Sequence, residues 1–418
     1  MPSSNKEFDR VAEWLLFALI IGTTLLQKIS IPIGGGNVLP LSFFLMLGVT
    51  AFGVISNRLE VRASRCAVTL AMIGGLASAQ LLGTFFGNSV VSLGALSLLA
   101  VMHVPYFFGL KRNTARSGVE LSFFQNMCVL LSLFGIAQYF LQFVIGWETA
   151  FFLDTIWPGQ SSFILHAPQM NSLNEIGYGS NIYKSNGVFL NEASFLSQFL
   201  SLAFIIEVLY YRRIIRIALY LFGIGVTFSG TGLLLILAVT PLYLLQQRQF
   251  FMLFGLVLVV ALAPVWAPLV GLEHTVARAG EFFSEHSSGY ARFVSPFRQI
   301  EEFVLPGAET LLFGNGSGSI TRLVEHRVDY ETFDPTWAKL VFEYGVCGAL
   351  FFIPFVVSVF FTPEKSPFLK IGLLIAYLVL GGNLAAPYIH LLVLALLAWP
   401  AEPVVGSGLK ERGGAVLR

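Results

Sequence analysis

The chain alternates long apolar runs with short polar gaps along most of its length. A membrane-spanning helix needs about 20 predominantly apolar residues. The pattern therefore predicts an all-α polytopic membrane protein, a single transmembrane domain over residues 1–418 with about twelve transmembrane helices. The seventh and eighth runs are short and are joined by "SGTG". The predicted segments are 11–27, 38–57, 66–86, 90–110, 119–146, 188–210, 214–228, 232–246, 250–271, 336–361, 368–382 and 385–400.

Two polar gaps, at residues 147–187 and 272–335, are much longer than the others. With the N-terminus placed in the cytoplasm, the basic residues of the short gaps fall on the cytoplasmic side, and Lys28 is the one exception. Short loops rich in Lys and Arg favour that side of a membrane. Both termini are therefore predicted to be cytoplasmic, and both long loops to lie outside, the larger one partly helical.

Composition excludes a soluble enzyme. Of the 418 residues, 56% are hydrophobic and 12% are charged, whereas soluble domains have roughly 45–50% apolar and 25% charged residues. The three cysteines lie in or beside apolar runs, so we expect them to be packing residues without a disulfide. No His, Cys or carboxylate set has metal-ligand spacing, so neither a metal nor another cofactor is expected. The net charge of +1 says nothing about partners, and no nucleic acid is expected among them.

The larger loop holds five arginines and no lysine. The planar guanidinium group suits bidentate recognition of phosphate or carboxylate. Arg292 has no acidic residue three or four positions further on, and it is the strongest candidate for ligand binding. Arg298 has glutamates at both of these positions, so a local ion pair is an equal alternative. Arg278 lies between two glutamates and is an intermediate candidate for ligand binding. Arg327 adjoins His326.

Three other features of this loop bear on chemistry. The stretch "SSGYARFVSPFRQIEEFVLPG" predicts a helix with a kink or restart at Pro296. The stretch "LFGNGSGSI" predicts a tight turn, with an anion-binding nest of backbone amides as the alternative. Asp334 and His326 are candidate general bases. The alternatives are that Asp334 caps the helix that begins near Pro335, and that His326 is an ordinary surface histidine.

A single glutamate, Glu192, lies in "NGVFLNEASFLSQFL" at the outer mouth of the sixth segment. A charged side chain at bilayer depth costs roughly 2.5–3.5 kcal/mol, which favours a position in a wet cavity mouth. We expect Glu192 to pair with an arginine of the larger loop, because a ligand-binding arginine needs supporting contacts. The alternative is that Glu192 orients a substrate hydroxyl.

Four motifs occur in order over residues 186–355. They are "NGVFLNEASFLSQFL", "VTFSGTGLLLIL", "SGYARFVSPFRQI…LLFGNGSG" and "DPTWAKLVFEYGVCGALFF". Together they resemble the motifs of the O-antigen polymerase and ligase superfamily. Two positions depart from that pattern, since Gly230 stands where the family often has arginine and Asp334 where ligases often carry histidine. The second departure favours the Wzy-type polymerase branch.

The resemblance implies a GT-C-like integral-membrane glycosyltransferase of the bacterial inner membrane, with both long loops in the periplasm. Its donor would be an oligosaccharide on undecaprenyl diphosphate, and its product exopolysaccharide or O-antigen, made by an inverting, metal-independent reaction. Membrane lipids and a chain-length co-regulator protein would be further partners. The expected site residues are Arg292, Arg278, Arg298, Arg327 and Glu192 for substrate binding, and Asp334 and His326 for catalysis.

Two other functions remain open. A ligase would transfer the glycan to a lipid or another acceptor. A transporter or flippase for lipid-linked sugars would carry ionisable residues near the membrane centre, often in repeated halves. The apolar runs hold few charges and no internal repeat is present, so the pattern favours chemistry at the outer surface over transport.

The predicted orientation can be tested by cysteine labelling. In a variant without the three native cysteines, we expect an impermeant thiol reagent added from outside to label Ser287→Cys and not Ser366→Cys, because these positions lie on opposite sides of the membrane. Labelling of position 366 without labelling of position 287 contradicts the orientation.

Overall fold

A computed structural model describes residues 9–34, 37–87, 89–111, 114–155, 173–176, 180–270, 284–324, 327–362 and 365–400. Helix accounts for 71% of the structure. Of the described helices, four are long and apolar enough to cross a membrane: Ala63–Gly87, Val119–Ile145, Ala193–Tyr211 and Thr336–Phe360. The chain is therefore a helical membrane protein, and the count of twelve spans stays a prediction.

Each of the twelve predicted segments contains a helix, and shorter helices lie in the two long loops. In chain order the helices are α1 (Arg10–Leu25), α2 (Leu41–Ile55), α3 (Ala63–Gly87), α4 (Leu93–His103), α5 (Val119–Ile145), α6 (Trp147–Ala150), α7 (Phe152–Thr155), α8 (Ala193–Ile206), α9 (Ile214–Gly225), α10 (Gly230–Gln246), α11 (Phe250–Ala261), α12 (Ala263–Trp266), α13 (Ser288–Phe293), α14 (Ser295–Phe303), α15 (Ala308–Phe313), α16 (Ser319–Leu323), α17 (Thr336–Phe360), α18 (Pro367–Leu378) and α19 (Pro387–Val393).

Two small two-stranded antiparallel sheets are present, which the hydrophobic pattern did not predict. Strand β1 (Ser30–Gly34) pairs with β2 (Asn37–Pro40), and β3 (Leu59–Val61) pairs with β4 (Phe108–Leu110). Helix α19 continues as a π-helical turn over Leu394–Ala398. Every residue of this continuous segment is buried, and so is most of α8. These two helices therefore form the centre of the bundle.

The bundle has two distinct ends. At the first, the backbone amide of Asn191 donates to Gln27 Oε1 (3.2 Å), and that of Ser92 donates to the carbonyl of Ser317 (3.0 Å). We call this the loop end, because residues 284–324 lie there. The 16 residues of α1 span about 24 Å, so Arg10 lies at the opposite end, which we call the basic end.

Ion pairs of the predicted cytoplasmic loops cluster at the basic end. They are Asp9–Arg58, Glu60–Arg62, Glu13–Arg116, Glu207–Arg213 and Glu120–Lys365. The five basic residues of these pairs, which the sequence places on one side of the membrane, thus share one end of the bundle. Which compartment this end faces stays a prediction.

The glycine-rich turn of the larger loop fastens the loop to α17. Gly345 has φ 64° and ψ −171° and kinks α17. The kink leaves the carbonyls of Phe342 and Glu343 to accept from the amides of Asn315 (2.9 Å) and Gly316 (3.1 Å). An added Cβ at Gly345 would lie 2.4 Å from the carbonyl oxygen of Leu312. A non-glycine residue does not fit there.

The backbone amides of the glycine-rich turn were the candidate for an anion-binding nest. Its amides face groups of the protein itself, since the buried carboxylate of Glu343 lies against the amides of Gly318 and Ile320. The tight turn predicted from the sequence is present, and the anion beside its amides is the protein's own Glu343 carboxylate. The turn serves to hold the loop on the bundle.

Candidate functional site

The segment that leads into α8 presents the carboxylate of Glu192 at the loop end. Glu192 occupies the N-cap position with extended backbone (φ −140°, ψ 156°), yet its side chain does not cap the helix. Instead Oε2 accepts from Ser194 Oγ (2.7 Å) and from Arg292 Nη2 (3.2 Å). The predicted pairing of Glu192 with an arginine of the larger loop is therefore present.

Arg292, on the short helix α13, is held from two sides. Its guanidinium carbon lies over the ring of Phe333, 4.6 Å from the ring centroid, in a cation–π contact. Its side chain is 13% exposed. Its Nε is buried and has no hydrogen-bond acceptor among the described residues. The pair with Glu192 thus leaves the Nε–H group of the guanidinium without an acceptor among the described residues.

Asp334 follows Phe333 directly and is half-buried at the start of α17. The N-cap of that helix is Pro335, so the capping alternative predicted for Asp334 misplaces the helix start by one residue. The amide and hydroxyl of Thr336 both donate to the carbonyl of Gly381 (3.1 Å each). This anchor fixes the start of α17, two residues after Asp334.

The guanidinium of Arg298 is occupied by contacts within the protein. It pairs with Glu302 (2.9 Å) and Glu285 (2.7 Å), donates to the Tyr290 hydroxyl (3.1 Å), and stacks on Tyr330. The Tyr290 hydroxyl and the two carboxylates raise the pKa of Arg298 above its ordinary value. The local ion pair predicted for this residue is confirmed, and α13 and α14 restart at Pro296 as predicted.

The remaining predicted site residues are not brought to this place by any described contact. Arg327 is exposed at a turn after α16. Arg278 and His326 lie outside the described residues. The contacts therefore gather Glu192, Arg292 and Phe333, and Asp334 is the next residue in the sequence after Phe333.

A buried glutamine positions the segment before Glu192. Gln138 Oε1 accepts from the Ser185 hydroxyl (2.8 Å) and from the amides of residues 186 (3.1 Å), 187 (3.1 Å) and 188 (3.4 Å). Gly187 and Val188 both adopt positive φ, 68° and 70°. Positive φ is strained for a β-branched residue such as Val188, so the surrounding hydrogen bonds must maintain it.

A buried ion pair stands behind that segment. Lys28 Nζ lies 2.7 Å from Asp154 Oδ2, and the two side chains are 2% and 1% exposed. The same oxygen accepts from Asn186 Nδ2 (3.2 Å), whose Oδ1 accepts from Gln138 Nε2 (3.1 Å). Lys28 lies in the short connection after α1, and nothing in the sequence indicated its partner, which is 126 residues away.

No protein-family model matches the chain, and a search of curated proteins finds no match. The family resemblance of the four motifs therefore stays a prediction.

Removing one partner of the buried pair should destabilise the protein strongly. Lys28→Met leaves the Asp154 carboxylate buried and uncompensated, and we expect a loss of about 3–5 kcal/mol. The double variant Lys28→Met, Asp154→Asn removes both charges and should lose clearly less. Thermal unfolding of the purified protein in detergent measures both. Equal losses in the single and double variants contradict the role assigned to the pair.

Proposed function

We propose that the chain is a membrane glycosyltransferase that polymerises oligosaccharide units carried on undecaprenyl diphosphate. Three features support this proposal: the four ordered sequence motifs, the helical membrane bundle and the arginine held at the loop end. The chain would lie in the bacterial inner membrane with both termini in the cytoplasm. The loop end would face the periplasm, where exopolysaccharide or O-antigen is assembled.

The environment of the Arg292 guanidinium is the observation that supports the proposal most directly. It is mostly buried, it lies over the ring of Phe333, and its Nε has no acceptor among the described residues. A buried donor without an acceptor costs free energy, and a bound anion with several oxygens would satisfy it. A diphosphate suits this geometry because its oxygens accept from two guanidinium N–H groups at once.

In the proposed reaction, a hydroxyl of the acceptor sugar attacks the anomeric carbon of the donor. A new carbon–oxygen bond forms with inversion. The bond from that carbon to the diphosphate oxygen breaks, and its electron pair leaves with undecaprenyl diphosphate. Asp334 takes the hydroxyl proton. Arg292 stabilises the charge that develops on the leaving group, and Glu192 holds Arg292 in place.

The proposed partners follow from this reaction. They are the lipid-linked oligosaccharide, the membrane lipids around the bundle and a chain-length co-regulator protein. No metal and no other cofactor takes part in the proposed mechanism. A ligase would use the same donor and differ in its acceptor.

A transporter for lipid-linked sugars is the second candidate, and buried ionisable groups favour it. Besides Lys28 and Asp154, the bundle buries His390, whose Nδ1 contacts the Tyr106 hydroxyl at 3.0 Å. Ionisable groups inside a membrane bundle often mark transport paths. Purified protein in liposomes separates the two candidates: the polymerase lengthens the glycan, whereas the transporter moves the donor across the bilayer without lengthening it.

Two substitutions of Arg292 test the diphosphate contact. We expect Arg292→Ala to lower the polymerisation rate about 100-fold or more, with loss of long polymer. Arg292→Lys should fail as well, because an ammonium group lacks the planar fork. The measurement is polymer length on a gel from a strain without the native protein, with membrane insertion checked by immunoblot.

Arg322→Lys is the matched control. Arg322 belongs to the same loop and is exposed, and its guanidinium donates to backbone carbonyls, including that of Gly318 (3.2 Å). A lysine can still donate to a carbonyl, so polymer length should be that of the wild type. Wild-type polymer from Arg292→Lys as well would remove Arg292 from the proposed mechanism.

A further inference from the structure

A cleft of about 460 Å³ opens at the basic end of the bundle, far from Glu192 and Arg292. Its lining residues are Arg10, Glu13, Trp14, Phe17 and Arg116. Four of the five come from the first two turns of α1, and Arg116 comes from the segment before α5. The cleft therefore lies where the first helix leaves the apolar part of the bundle.

The charges of the cleft do not balance. Both oxygens of Glu13 are taken by Arg116, with Nε at 2.7 Å from Oε1 and Nη2 at 2.9 Å from Oε2. Arg10 is exposed, and no ion pair to it is found in the part of the chain that the structure describes. One carboxylate thus faces two guanidinium groups. A net positive charge therefore remains among the described residues that line the cleft.

The walls of the cleft are aromatic. Trp14 is 63% exposed and makes an edge-to-face contact with Phe17, at 5.7 Å between ring centroids. Phe17 in turn stacks on Phe123 of α5 at 4.2 Å. Tryptophan side chains favour the headgroup level of a bilayer. The cleft thus combines an exposed arginine with an aromatic wall, and this combination suits the headgroup level of a bilayer.

We propose that this cleft binds the phosphate group of an anionic glycerophospholipid from the leaflet at the basic end. The lipid phosphate contacts Arg10 and the outer edge of Arg116, and the glycerol and upper acyl chain lie against Trp14 and Phe17. Basic pockets beside membrane helices take anionic headgroups by this combination of charge and apolar contact. The site is separate from the proposed diphosphate contact and does not depend on it.

Native mass spectrometry of the delipidated full-length protein tests the proposal. The probes are short-chain phosphatidylglycerol, phosphatidylcholine with the same chains, and inorganic phosphate. Wild-type protein should bind phosphatidylglycerol more tightly than phosphatidylcholine. Arg10→Gln should weaken phosphatidylglycerol binding roughly fivefold, the effect of about 1 kcal/mol for one basic residue near a membrane surface.

Arg248→Gln is the control, because Arg248 is exposed after α10 at the same end and does not line the cleft. It should leave phosphatidylglycerol affinity unchanged. Trp14→Ala should weaken lipid binding and leave any binding of inorganic phosphate as it was. Equal effects of Arg10→Gln and Arg248→Gln, or equal affinity for the two lipids, overturn the proposal. Displacement of the lipid by millimolar inorganic phosphate shows a simple anion site and overturns the assignment to a lipid.

Discussion

The ion pair between Glu192 and Arg292 joins the larger loop to the centre of the bundle at the loop end. Each partner is mostly buried, at 15% and 13% exposure, so either charge alone would be costly there. Glu192 and the ring of Phe333 together hold the guanidinium of Arg292. The proposed chemistry requires this pair, because only a guanidinium group held in place can offer its remaining N–H groups to a ligand.

The pair depends in turn on contacts behind it. Gln138 holds the strained segment before Glu192 through several hydrogen bonds, and the buried pair of Lys28 and Asp154 joins that segment to the end of α1. On the loop side, the glycine-rich turn packs against the kink at Gly345. Both sides of the site are therefore tied to transmembrane helices, which suits a site that must keep its geometry beside a fluid bilayer.

Much of the architecture follows from the sequence, and the reasons for the failures are physical. Long apolar runs located the helices, and the cost of a charge at bilayer depth, together with the arginines of the larger loop, made a partner for Glu192 predictable. The partner of Lys28 was not predictable, because it comes from a distant loop and a lone lysine resembles a solvated one. The glycine turn was recognised, but its fit to Gly345 arises from tertiary packing. The ion pair of Arg298 was predictable, because its partner Glu302 is only four residues away in the sequence.

The most direct measurement of the central claim is a cryo-electron microscopy structure of the protein with undecaprenyl diphosphate. The account predicts a phosphate oxygen at hydrogen-bond distance, roughly 2.7–3.2 Å, from Arg292 Nε, with the guanidinium still over Phe333. A diphosphate bound elsewhere in the loop, for example against Arg327, with Arg292 contacting Glu192 alone, would contradict it.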